Sequence, residues 1–141
     1  MGLRRTIAWR ACLAAGAASA VVVPAAVAAN LAMHPQLAAR LSGMGEHGVV
    51  NLQSDAKKGK LCWAFDLPTT KGITGTSIHK GAKGVVVVRL GKTYAAKGCT
   101  QAAEMALEHI ESTPASYSVW VDTKGHPGDL RGKLFAGTAH M

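Results

Sequence analysis

An antiparallel β-sandwich or barrel carrying one short helix is the fold class this sequence predicts. Three observations carry the prediction: short runs of β-type residues recur between residues 36 and 134, glycine clusters with turn chemistry separate them, and a helical period shows only once. Roughly seven such runs at this spacing are the mark of an all-β domain. No connection is long enough for repeated βαβ crossovers, which excludes the parallel α/β classes.

Leu37, Ala39 and Leu41 alternate ahead of Ser42-Gly43, and Val50 and Leu52 alternate ahead of a polar turn over residues 54–59. Each period of two predicts a strand. Leu61, Trp63, Phe65 and Leu67 share one face of the clearest strand, which Pro68 ends, and that face belongs in the core. Residues 73–79 make a weaker strand, and Gly81-Ala82-Lys83-Gly84 a turn. The valine run at 85–88 has no polar alternate, which predicts burial on both faces. The period then lengthens. Ala102, Met105, Ala106, Leu107 and Ile110 fall at helical spacing, with Thr100 as the expected N-cap, Glu104 near the positive helix end and Thr113-Pro114 as the stop. Tyr117, Val119 and Val121 next alternate with Ser118, Trp120 and Asp122, and a last strand over 130–135 follows a turn at 124–128. Alternation puts Tyr117 and Trp120 on opposite faces, one in the core and the other free to form a contact patch.

Ahead of this domain, which is placed at residues 36–136, residues 1–28 have the layout of a secretory signal peptide. Arg4, Arg5 and Arg10 make a positive start, the stretch 11–29 is uncharged and almost wholly Ala, Val and Leu, and Ala26 and Ala28 are the small residues that signal peptidase accepts. Cleavage after Ala28 or Ala29 leaves a mature chain that begins at Ala29 or Asn30. The competing reading is an uncleaved anchor, because the apolar run is about long enough to span a bilayer; Pro24 and the many alanines weigh against it. Arg4-Arg5 is also a loose match to a twin-arginine signal, and the two export routes stay open. The expected location is periplasmic or secreted, with membrane contact only through an uncut signal.

Of the three cysteines, Cys12 leaves with the signal, and Trp9-Arg10-Ala11 before it lacks the leucine of a lipobox. Cys62 and Cys99 remain. An even pair in an oxidising compartment reads as one disulfide, with two buried free thiols as the alternative. A closed loop of that length contributes about 4 kcal/mol in the chain-entropy treatment, comparable with the whole stability of a small domain.

The formal net charge is +8, and +5 once the three leader arginines are set aside. The lysines are scattered, mostly beside glycines in turns, as solvated loop charge. There is no basic face interleaved with aromatics and no recognition helix, so nucleic acid is not an expected partner. Anionic cell-envelope polymers or another exported protein are. Catalysis finds no candidate residue. The chain has no G-x-S-x-G elbow and no H-E-x-x-H, its thiols are expected to pair, and Gly91-Lys92-Thr93 lacks the first glycine of a phosphate loop.

Six segments, in order, resemble the CHRD domain, the module named for its occurrence in chordin and found widely in bacterial exported proteins. Leu41-Ser42-Gly43 with Glu46 resembles its opening L-S-G-x-x-E, and Leu61-Cys62-Trp63 its L-C-Y. Ile78-His79-Lys80-Gly81 with Gly84-Val85-Val86-Val87 is similar to H-I-H-x-G…G-P-V-V-V, and Gly98-Cys99 to the second cysteine. Ile110 with Thr113-Pro114-Ala115-Ser116-Tyr117 is similar to I-x-x-N-P-x-x-Y, and Gly128-Asp129-Leu130-Arg131-Gly132-Lys133-Leu134 to the closing G-E-I-R-G-Q-L.

The resemblance implies a Greek-key β-sandwich, superoxide-dismutase-like or Ig-like, with histidines placed in a way reminiscent of copper-zinc superoxide dismutases. His79 and Asp122 then stand at ligand positions, His126 in the next turn is a candidate further imidazole, and Arg131 has a structural role, pinning a loop through Asp122 or a backbone carbonyl. The chain departs from the family at two places. Ser77-Ile78-His79 stands where the family has H-I-H, and Trp120-Val121-Asp122-Thr123 where it has N-V-H-T. Copper or zinc wants roughly three or four N/O ligands, so this depleted set makes no cofactor the expectation and copper the alternative. His34, His47 and His140 lie in turns or terminal stretches. The expected function is an exported, non-catalytic binding or structural module, with a copper-binding, superoxide-handling protein of the same fold as the alternative.

Overall fold

Hairpin chemistry lays down the first strands. Gln36–Gly43 (β1) and Glu46–Asp55 (β2) pair without interruption from Gln36↔Gln53 to Gly43↔Glu46. The Met44-Gly45 turn between them has positive φ at both residues, 51° and 78°, the twist a two-residue hairpin requires. Lys60–Asp66 (β3), Ile73–Lys80 (β4), Val85–Arg89 (β5) and Lys97–Gln101 (β6) follow. After them come one helix, Glu104–Ser112 (α1), a 3-10 turn at Pro114–Ser116, and Tyr117–Thr123 (β7) and His126–Ala136 (β8). The computed structural model describes residues 35–81 and 84–141. The signal expected over 1–28, its cleavage site, the anchor alternative and His34 lie outside the described residues.

Every strand pairing is antiparallel, and the order across the single eight-stranded sheet is β5-β4-β7-β8-β1-β2-β3-β6. Consecutive strands β5 and β6 therefore end up at opposite edges. Laid flat, those edges would stand about 33 Å apart at the normal strand spacing. The connection from Arg89 to Lys97 reaches only about 28 Å when fully extended. The sheet must curl, and it does, into a nearly closed, barrel-like form.

Curling turns one face of nearly every strand onto a common core. Leu37 and Leu41 of β1, Val50 and Leu52 of β2, Leu61, Trp63 and Phe65 of β3, Ile78 of β4, Val88 of β5, Tyr117, Val119 and Val121 of β7 and Leu130 and Leu134 of β8 are all buried in it. The helix adds Leu107 and Ile110, and Ser54 Oγ donates to Glu111 Oε1 at 2.6 Å, which ties α1 to β2. Tyr94 packs against Phe65 with ring centroids 5.9 Å apart, and loss of water around its phenol pushes its pKa up.

Two expectations change. The valine run is an edge strand and not a doubly buried one: Val85 and Val86 are 67% and 41% exposed, Val88 is buried in the core and Val87 packs against it half-buried. Thr100 does not cap the helix. It lies in β6 opposite Leu61, and the N-cap position falls to Ala103, which makes no side-chain cap bond. β6 itself carries no apolar alternation. It is held by pairing with β3 and by Trp63, whose indole fills the space a side chain at Gly98 would need.

The chain beyond residue 136 also packs. Asn51 Nδ2 donates to the Ala139 carbonyl at 2.9 Å and its Oδ1 accepts from the Ala139 N–H at 2.8 Å. Ala139, 1% exposed, joins Ala38 and Val49 in a small second cluster on the outside of the sheet.

Candidate functional site

The pleat decides what β7 shows to the outside. Tyr117, Val119 and Val121 point into the core, so Ser118, Trp120 and Asp122 point out. Register places Ser77 of β4 and Arg131 of β8 on either side of Trp120. Two residues along β4 from Ser77, where the pairing with β5 shifts between Ile78 and His79, His79 also faces outward.

These side chains stack. The His79 and Trp120 rings lie 3.9 Å apart at 8° from parallel, and Arg131 Cζ sits 3.7 Å from the Trp120 ring centroid. Because β4 and β8 flank β7 on its two sides, the indole is clasped between imidazole and guanidinium. A cation over an indole contributes about 0.5–2 kcal/mol, depending on how dry the site is.

Hydrogen bonds fix each member of the column. Trp120 Nε1 donates to Ser118 Oγ at 3.0 Å, and Arg131 Nε donates to the Gly128 carbonyl at 2.9 Å. His79 Nδ1 lies 2.8 Å from the Gly84 carbonyl and Nε2 lies 2.7 Å from Ser77 Oγ. A carbonyl only accepts, so these partners assign a proton to Nδ1. Two glycines close the ends. A Cβ on Gly84 would come within 2.6 Å of Trp120 Cζ2, and one on Gly128 within 2.8 Å of Trp120 Cε3 while overlapping Arg131 Nε. Both glycines also have positive φ, 70° and 66°.

Beside the column lies a cleft of about 590 Å³, whose lining includes Lys80, Ser116, Ser118, Trp120, Arg131 and Lys133. Every charged residue along it is a cation, and it contains no Asp, Glu, His or Cys. Lys80 and Lys133 are exposed. With its Nε taken by the Gly128 carbonyl and its Cζ over the indole, the exposed Arg131 keeps its terminal nitrogens without a hydrogen-bond or ion-pair partner among the described residues.

The residues singled out in the sequence are distributed as follows. Cys62 and Cys99 sit directly opposite one another in β3 and β6 and are bonded, with Cα atoms 4.0 Å apart. His79 is 5% exposed with both ring nitrogens engaged. Asp122 Oδ1 accepts the Gly128 N–H at 2.6 Å, and Thr123 Oγ1 donates to Asp129 Oδ2, so these carboxylates serve the β7–β8 hairpin. Arg131 reaches the Gly128 carbonyl and not Asp122. His126 is exposed at the start of β8. His79, Asp122 and His126 do not converge: among the described residues no group of three or more His, Cys, Asp or Glu side chains is placed to hold a metal ion. As arranged, these residues do not fit the nitrogen-rich tetragonal set that copper(II) asks for.

Trp120 as the centre of the site, and Lys80 and Lys133 as its rim, are additions from the structure. Only the alternation of β7, which turns an aromatic outward, signals them in the sequence. No protein-family model, no curated protein and no solved structure matches the chain.

Proposed function

We propose that this chain is an exported, non-catalytic binding module of the CHRD type, and that it binds through the cleft at Trp120. The observation that carries the reading is the composition of that cleft: a rigidly held aromatic–cation column, three cations, and hydroxyls of which none is bonded to a base, since His79 spends its Nε2 on the buried Ser77 and Ser118 accepts from Trp120. Such a surface is built to hold a ligand, not to transform one.

Strand order supports the fold assigned with it. Counted across the seam between the sheet edges, β7, β4, β5 and β6 follow one another, the arrangement of three successive strands with the fourth returned beside the first that defines a Greek key. The Cys62–Cys99 bond suits an oxidising compartment, and no helix among the described residues is long and apolar enough to cross a membrane.

The partner proposed is an anionic polymer of the cell envelope. Protein recovered from its export compartment, mixed with the insoluble envelope fraction of the same cells, should sediment with it at low salt and be released as salt screens the cations. A K80E/K133E double variant with an unchanged circular dichroism spectrum should stay in the supernatant. Equal sedimentation of variant and wild type would refute the assignment of the cleft, and no sedimentation of either would refute the partner.

A further inference from the structure

The geometry points to a specific ligand chemistry for this cleft: we propose that it binds the carboxylate groups of an acidic polysaccharide, a uronate-bearing chain. This rests on the binding-module reading above. Arg131 is the key donor. Its Cζ lies over the Trp120 ring and its Nε is fixed to the Gly128 carbonyl, so the terminal Nη edge of this exposed residue carries the donors left free. That edge is a planar fork, already oriented, and it matches the planar pair of oxygens of a carboxylate. Little side-chain freedom remains to be lost on binding.

The other cations are set out singly rather than gathered at one point. Lys133 follows Arg131 on the same face of β8, about 7 Å on. Lys80 ends β4, two strands away and so about 10 Å across the sheet. Singly charged groups spaced along a chain complement cations spaced along a groove. A phosphate dianion is better served by converging backbone N–H groups at a nest or helix N-terminus. In this cleft the amides of β4, β7 and β8 are spent in the ladders, and those of Gly81 and Ser116 donate to the Ser116 and Thr113 carbonyls. Ser116 and Ser118 supply hydroxyls at the rim for the hydroxyl groups of the sugars.

The test uses the purified protein with a hexamer of galacturonic acid, its fully methyl-esterified form and a polyphosphate of matched charge. Calorimetry gives affinity, and the indole N–H signals of Trp120 and Trp63 report location. Trp63 is an internal control, since its Nε1 is bonded to the Ala95 carbonyl away from the cleft. The uronate should bind saturably and move the Trp120 signal alone, and the methyl ester should bind at least about tenfold more weakly, as expected for loss of a charge-assisted bond. R131K should be weakened about as much as R131Q, because a lysine keeps the charge and loses the fork. K133Q, at an exposed position, should weaken binding severalfold without touching the stack. Equal binding of the methyl ester, tighter binding of polyphosphate, or an R131K protein that binds like wild type would overturn the carboxylate proposal. Movement of the Trp120 signal by polyphosphate alone would leave the cleft standing as the binding site. Binding of no polyanion, with envelope sedimentation still lost in K80E/K133E, would reject the ligand class and spare the module.

Discussion

Trp120 owes its orientation to what cannot be there. Gly84 and Gly128 leave the room that the indole and the Arg131 guanidinium occupy, and a methyl group at either would displace an aromatic ring held on both faces. The β7–β8 hairpin provides a way to separate this crowding from backbone strain. Gly125 and Gly128 both have positive φ, 81° and 66°, but a Cβ on Gly125 meets nothing within 4 Å. Gly125→Ala should therefore cost about 1–2 kcal/mol, the left-handed backbone penalty alone. Gly128→Ala should cost about 2–5 kcal/mol, since it adds overpacking to that penalty. Urea melts of the two variants check this, and equal costs would mean that the column yields freely. At this scale the sequence was half legible. His79 and Arg131 stand out through a family resemblance, yet what they share is an indole between them, and no spacing along the chain reveals a stack contributed by three strands.

The strands differ in what holds them. β6 pairs on one side only, places no apolar side chain in the core, and is fastened by Cys62–Cys99 directly across the pair with β3. The bond spans 37 positions of sequence, which makes its chain-entropy contribution about 4 kcal/mol. Reduction should lower stability by about that amount, and amide exchange in Lys97–Gln101 should accelerate before exchange in β7 or β8. Hydrogen exchange followed with and without reductant tests both parts, and unchanged protection of β6 would show that Trp63 packing under Gly98 suffices. The alternating strands β1, β3 and β7 were readable because one face of each meets the core and the period of two survives in the sequence. β6 was not readable, because its partners are a disulfide and a borrowed ring. The valine run misled for a related reason: β-branched residues fit an edge strand as well as a buried one, and only sheet order distinguishes the two.

For the whole molecule, closure is what makes a site. A short connection between β5 and β6 draws the sheet edges toward each other and turns one set of side chains inward around a single core. The alternate residues of β4, β7 and β8 are then left on a curved outer face, where Arg131 and Lys133, with Lys80 at the end of β4, border one cleft with no acidic residue among them. Scattered lysines in the sequence thus become a local cationic surface, which composition alone shows only as a net positive charge. The all-β class and the place of the helix could be read from periodicity, whereas the cleft depends on which strands neighbour which. The central claim is that this cleft is the binding face. Its most direct test is the indole region of the two-dimensional NMR spectrum as soluble anionic polymer released from the cell envelope is titrated into wild type and K80E/K133E protein. The account predicts that the Trp120 indole signal moves saturably in wild type, that Trp63 stays in place, and that neither moves in the variant. A Trp120 signal that stays fixed while the polymer binds, or that moves equally in both proteins, would contradict it.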